Sequence, residues 1–126
     1  MSFSNILLVM LGGSLGALCR YAVGVLAVRL WGTGFPWGTL AVNLSGCFLI
    51  GLFFTLSDRV SFLNMSTRLF FVTGFLGALT TFSSFAFETV SAGVLGANPV
   101  AILNFVANNV GGLALVLLGM WFGRVL

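Results

Sequence analysis

Between Glu88 and Arg124 the chain runs for 35 residues without a charged side chain, and from Trp37 to Ser57 there is none either. Such stretches leave few solvents to fold in. Soluble domains carry about a quarter charged residues, whereas only 6% are charged here: five Arg, one Asp and one Glu in 126 residues. Seven charges cannot cover a water-soluble body of this size, so the chain belongs in a bilayer. The same poverty excludes chemistry. With no His and with Asp58 and Glu88 far apart in sequence, zinc clusters, catalytic triads and carboxylate pairs lack parts, and an enzyme is not expected. The net charge of +3 comes from scattered arginines that form no basic stripe, so no nucleic acid partner is expected. Cys19 and Cys47 sit in apolar runs, where a thiol behaves as a small hydrophobe, and no disulfide framework is expected. The N-terminus lacks a basic leader region, so the first apolar segment is expected to stay in the mature protein.

A helix needs about 20 predominantly apolar residues to span a bilayer. The breaks between uncharged stretches predict four spans, at about residues 5–28, 37–57, 69–95 and 100–122, within a single all-α membrane domain. The loop Arg29 to Pro36 is glycine-rich and has Trp31 and Trp37 at its edges, as interfacial aromatics should be. Gly96-Ala97-Asn98-Pro99 is the turn that divides the last long stretch. Four spans put both termini on one side, with Arg59, Arg68 and Arg124 there and Arg29 opposite. That bias is modest, and it is compatible both with one orientation and with insertion in both.

Several residues are too costly for lipid. Gly12, Gly16, Arg20 and Gly24 recur every four positions and share a face of the first helix, a surface for close helix packing. Arg20 within a span costs at least ~2.5 kcal/mol unless it reaches water. Its residue type leaves two roles open, a functional cation or a structural one that orders carbonyls or pairs with Glu88. Thr39 and Asn43 share a face of the second helix, where an asparagine can either donate to an anion or join two helices. The third segment, Gly74 through Glu88, sets Thr80, Thr81, Ser83 and Ser84 among phenylalanines. A helix break there would free backbone groups that need a cavity, an ion or hydroxyls. Phe82 and Phe85, three apart, can turn electropositive ring edges toward a desolvated anion, or can simply pack. On the fourth span Asn104 and Asn108 lie one turn apart, with Asn109 off that face. Neutral donors, one arginine and no proton-carrying pair suit passive passage of a small hard anion better than proton-coupled pumping.

The residues Gly12-Gly13-Ser14-Leu15-Gly16 leading to Arg20, Gly38-Thr39-Leu40-Ala41-Val42-Asn43, and the run from Gly77 to Glu88 with Thr81-Phe82-Ser83-Ser84-Phe85 resemble the Fluc (CrcB) fluoride channels over nearly the whole chain. The resemblance implies a four-helix protein whose third helix is broken mid-membrane. It implies a dual-topology homodimer of antiparallel subunits with two fluoride pores, in the inner (plasma) membrane. It assigns Asn43, Phe82, Phe85, Ser83 and Ser84 to the fluoride pathway, to which Thr39, on the face of Asn43, and Asn108, on the polar track of the fourth span, are added as candidates. Gly77 and Thr80 would offer backbone carbonyls to a central structural sodium ion, two from each subunit, with no organic cofactor. Arg20 and Glu88 would lie near the pore entrances. One position departs from the family, since Gly112 stands where many relatives carry serine. The implied function is passive export of cytoplasmic fluoride down its electrochemical gradient, protecting the cell from fluoride toxicity. Two other readings of a small four-span chain are a small multidrug-type proton-coupled cation transporter and a non-transporting assembly subunit. The first of these wants an acidic residue deep in the first helix, where this chain has Arg20.

Overall fold

Four helices long and apolar enough to cross a membrane follow one another: Phe3–Trp31, Trp37–Ser57, Met65–Val94 and Asn98–Val125. The computed structural model of the chain describes residues 2–126. The first, third and fourth helices extend beyond the apolar spans read from sequence. Hydropathy marks only the hydrocarbon-matched part, and a helix continues into the interface, where Arg29 and Arg124 sit in last turns, favourably placed for helix dipoles.

Each connection has a local cause. The first helix ends at Gly32, whose φ of 74° sends its N–H to the carbonyl of Val28 at 2.9 Å. A residue without Cβ adopts that conformation cheaply. Trp31, Phe35 and Trp37 then cluster across the short loop. The third helix opens with Asn64 as its cap, accepting from the N–H groups of Ser66 and Thr67 at 3.0 and 3.2 Å. Gly96, at φ 79°, turns the chain before Pro99 enters the first turn of the fourth helix.

Glycine decides which helices touch. A Cβ on Gly12 would collide with the carbonyl oxygen of Phe70, and one on Gly16 with that of Phe75. From the other side, a Cβ on Gly74 would stand 2.8 Å from the carbonyl of Val9. The first helix therefore lies backbone to backbone against the third. Gly51 and Gly119 do the same for the second and fourth helices, meeting the carbonyls of Val116 and Phe48. In a bilayer, where apolar burial gives no net drive between helices, such close approach supplies the attraction. These two pairs make the largest contacts in the molecule. Gly24 serves the stripe differently: its own Cβ direction is open, but a Cβ on Gly38 of the second helix would stand 2.9 Å from the Gly24 Cα.

The third helix is not uniform. It is π-helical over Leu69–Leu76, α-helical over Gly77–Leu79, extended at Thr80 and Thr81, and α-helical again over Phe82–Val94. The fourth helix has a π-helical turn at Ala107–Gly111. The buried apolar cluster of Val42, Leu76 and Leu79 sits directly beside the interruption, ringed by Val23, Leu49, Ile50, Phe71 and Phe75. The interruption is thus packed on one side by apolar side chains, and its polar groups must be met on the other.

A polar cleft at the interrupted helix

The interruption is met by one side chain. Asn43, on the second helix, accepts from the Thr81 N–H through Oδ1 at 2.8 Å and donates through Nδ2 to the Thr81 carbonyl at 3.1 Å. Its amide thus pairs with the extended backbone as a neighbouring strand would. In an unbroken helix the Thr81 N–H would go to the carbonyl of Gly77, so the pairing releases that carbonyl from its helical partner. Thr81 then starts the next helix, its Oγ1 accepting from the Ser84 N–H at 3.2 Å. The same hydroxyl lies 3.0 Å from Ser84 Oγ and 3.3 Å from Ser83 Oγ.

From Asn43 a directed chain of hydrogen bonds crosses to the fourth helix. Nδ2 also donates to Asn108 Oδ1 at 2.9 Å. Asn108 Nδ2 donates to the carbonyl and to Oδ1 of Asn104 at 3.0 and 2.9 Å. Asn104 Nδ2 donates to Thr89 Oγ1 at 2.9 Å, and Thr89 donates back to the carbonyl of Phe85 at 2.8 Å. Asn104, only 1% exposed, is the anchor of the chain. Buried amides are affordable only when satisfied in this way.

These residues border a cleft of about 200 Å³ lined by Asn43, Thr80, Thr81, Phe82, Phe85, Asn108 and Asn109. Phe82 and Phe85 meet edge to face, centroids 5.4 Å apart at 63°, and both rings line the cleft. Phe85 is buried at 5% exposure while Phe82 is 76% exposed, which leaves the cleft open on one side. The N-terminus of Phe82–Val94 lies at the cleft and gives it a positive end without any formal charge. On the other side of the break Gly77 and Thr80 border a second space of about 190 Å³ with Gly46 and Cys47, where the ending helical segment presents carbonyl character. One interruption therefore creates an N–H end and a carbonyl end facing different spaces.

The structure brings Asn43, Phe82, Phe85 and Asn108 together with Thr80, and links Ser83 and Ser84 to them through Thr81. Thr39 and Glu88 stand apart, in a larger cavity of about 470 Å³ that also touches Gly24 and Gly38. Thr39 donates to Glu88 Oε1 at 2.7 Å, while Oε2 is buried without a hydrogen bond. Neither oxygen meets Arg20, so pairing between Arg20 and Glu88 is absent among the described residues, and Arg20 borders none of these three spaces. Gly112 faces the Cys47 thiol, 3.2 Å from where a Cβ would lie. Asn109, expected off the polar face, lies in the cleft beside Asn108. A π-helical turn widens the helix by a residue and brings both asparagines to one side. Thr81 and Thr89 carry more of the geometry than their residue types suggested, and the doubled Thr80-Thr81 before a phenylalanine was the available signal.

The description "CrcB-like protein, Camphor Resistance (CrcB)" matches residues 7–120. The chain belongs to the CrcB family. That match encloses the whole cleft, the Thr39–Glu88 pair and Arg20. Among curated CrcB relatives, a protein of Acidobacterium capsulatum named "Fluoride-specific ion channel FluC" is 49% identical over 93% of this chain and 90% of its own. Proteins of the same name from Agrobacterium fabrum and Legionella pneumophila (strain Paris) are 48% and 50% identical, over 95% and 90% of this chain and 96% and 84% of theirs.

Proposed function

We propose that this CrcB protein is a fluoride channel, passing the anion passively out of the cell and so protecting it from fluoride toxicity. It is a multi-pass protein of the membrane, the inner membrane in bacteria, and not an enzyme. The observation that carries the reading is the interrupted third helix, which gathers a helix N-terminus, two phenylalanine rings and asparagine amides around one cleft. A small anion stripped of water needs many neutral donors at short range, and a fixed positive charge would hold it too tightly to let it leave. Both Asn43 N–H groups are engaged, one by Asn108 Oδ1, so an arriving anion takes the place of that oxygen as acceptor.

The open side of the cleft supports an antiparallel homodimer. A pathway with Phe82 three-quarters exposed needs a further wall, and a second copy supplies one with the same chemistry. The modest arginine asymmetry is compatible with copies inserted in opposite orientations. Dual insertion makes each dimer carry two such pathways.

The carbonyl side of the break supports a structural sodium ion. Gly77, whose carbonyl has lost its helical donor, and Thr80 offer hard oxygen ligands, the donor type that alkali and other hard cations take. A single chain offers two, so the ion would be held between two copies. When bound, sodium supplies positive charge that fixes the released carbonyls.

The test is fluoride efflux from liposomes holding the purified protein, loaded with potassium fluoride and read by electrode after valinomycin is added, beside chloride-loaded vesicles. Fast fluoride release with chloride retained is the expected result. Absence of release from monodisperse, folded protein, or equal loss of chloride, overturns the reading.

A further inference from the structure

Three of the five arginines, Arg59, Arg68 and Arg124, lie at one end of the molecule, where the second and fourth helices finish and the third begins. Arg59 Nη1 donates to the backbone carbonyl of Arg124 at 3.0 Å, and the Arg68 guanidinium lies over the Phe54 ring, 4.6 Å from its centroid. Phe54 and Arg124 in turn border one groove of about 590 Å³ between the second and fourth helices. Asp58, also at the groove, is the single side-chain carboxylate there. All three arginines are exposed, and what holds them is a carbonyl and a ring face, so their charges are free to meet an anion.

Below this rim the groove is apolar. Its bed is Ile50, Phe54, Val116 and Met120, and it runs from residues 58 and 124 to residues 50 and 116. At the helical rise of 1.5 Å per residue that is about 12 Å along the helix axes. A cationic rim at the end of the spans above an apolar channel of that length is complementary to one kind of molecule present in every bacterial membrane.

We propose that this groove is a binding site for an anionic phospholipid, its phosphate among Arg59, Arg68 and Arg124 and the upper part of an acyl chain along the bed between the second and fourth helices. Charge complementarity selects the headgroup: each arginine near an anionic lipid surface contributes about fivefold in affinity. The groove selects against a free anion, since inorganic phosphate has nothing to place between the helices. The site shares no residue with the polar cleft and only Ile50 with the second space at the interruption. It rests on the membrane location of the chain and not on which ion is conducted.

Native mass spectrometry of the full-length protein in detergent, titrated with phosphatidylglycerol, with phosphatidylcholine of the same acyl chains, or with inorganic phosphate, tests it. The expected result is one phosphatidylglycerol retained per chain with at least tenfold preference over phosphatidylcholine. Arg59→Gln with Arg124→Gln, both exposed, lowers that preference below about threefold while the protein stays monodisperse. Met120→Trp, which fills the bed and leaves the charges, weakens both lipids together while the protein stays monodisperse. Equal retention of the two lipids, or a preference untouched by the arginine substitutions, overturns the proposal. So does inorganic phosphate binding that depends on the arginines but not on Met120, which assigns the rim to a free anion.

Discussion

Asn43 commits its oxygen and both amide hydrogens within the protein, two of the three contacts to a backbone that no helix can satisfy. Asn43→Ala leaves the N–H and carbonyl of Thr81 unpaired where water is scarce. Interhelical hydrogen bonds in membranes contribute up to ~1.7 kcal/mol each, so the substitution is expected to lower stability by about 1–3 kcal/mol as well as to stop fluoride flux. Asn43→Asp keeps an acceptor for Thr81 but loses both donations and sets a negative charge in the path, and is expected to fold without conducting. Unfolding followed by tryptophan fluorescence, run beside the efflux assay, separates the two effects; wild-type stability in Asn43→Ala would remove the strut role. The two phenylalanines differ in the same informative way. Phe85 is buried and touches Phe105, whereas Phe82 is mostly exposed. Phe82→Ile is expected to leave the stability of the chain unchanged and to cut flux at least tenfold, and Phe85→Ile to lower both. Equal destabilisation by the two, measured in the same unfolding assay, would contradict this division.

At the scale of helices, the glycine stripe of the first helix splits into unequal members. Gly16 faces a carbonyl of the third helix with no room for a methyl group, while the Cβ direction of Gly24 is empty. Gly16→Val is expected to prevent a monodisperse fold, Gly24→Ala to be neutral within about 0.5 kcal/mol, and Gly38→Ala to destabilise by pressing on Gly24; size-exclusion profiles and unfolding midpoints decide. Periodicity alone made those glycines equivalent, because spacing gives a face but not how near the neighbour comes. The same boundary runs through the rest of the chain. Helix count and order followed from where seven charges, Gly32 and Gly96 fall, since backbone in lipid has few alternatives to helix. The region of the interruption was legible in four hydroxyls among phenylalanines, which lipid would not tolerate without purpose. The π-helical turns at Leu69–Leu76 and Ala107–Gly111 were not, because no residue type demands them; they arise from tertiary fit, and with the second came the placement of Asn109. The convergence of Asn43, Asn108 and Asn104 likewise depends on helices distant in sequence. The separation of Thr39 and Glu88 from that group could be read only in three dimensions.

For the molecule as a whole, the outer surface of the first helix is apolar and unpartnered, with Leu7, Met10, Leu11, Leu15 and Leu18 exposed and only Gly12, Gly16 and Ala27 buried. Such a surface faces lipid or another copy. A reporter fused at the C-terminus is expected to signal from both sides of the membrane, and detection on one side only would rule out dual insertion. Exchanging sodium for N-methylglucamine on both sides of the liposome membrane is expected to reduce fluoride flux and weaken subunit association in detergent; flux and association both unchanged would exclude the ion at Gly77 and Thr80. The clamp on Thr81 also makes one helix depend on another for its shape. Its amide comes from the second helix, so the partner of the Thr81 N–H and carbonyl lies outside residues 65–94, which supply only the cap that Thr81 Oγ1 gives to Ser84. A lone third segment in the bilayer would have no such partner, and a continuous helix would be its cheapest form there. The interruption is therefore a property of the assembled helices and not of the third segment by itself.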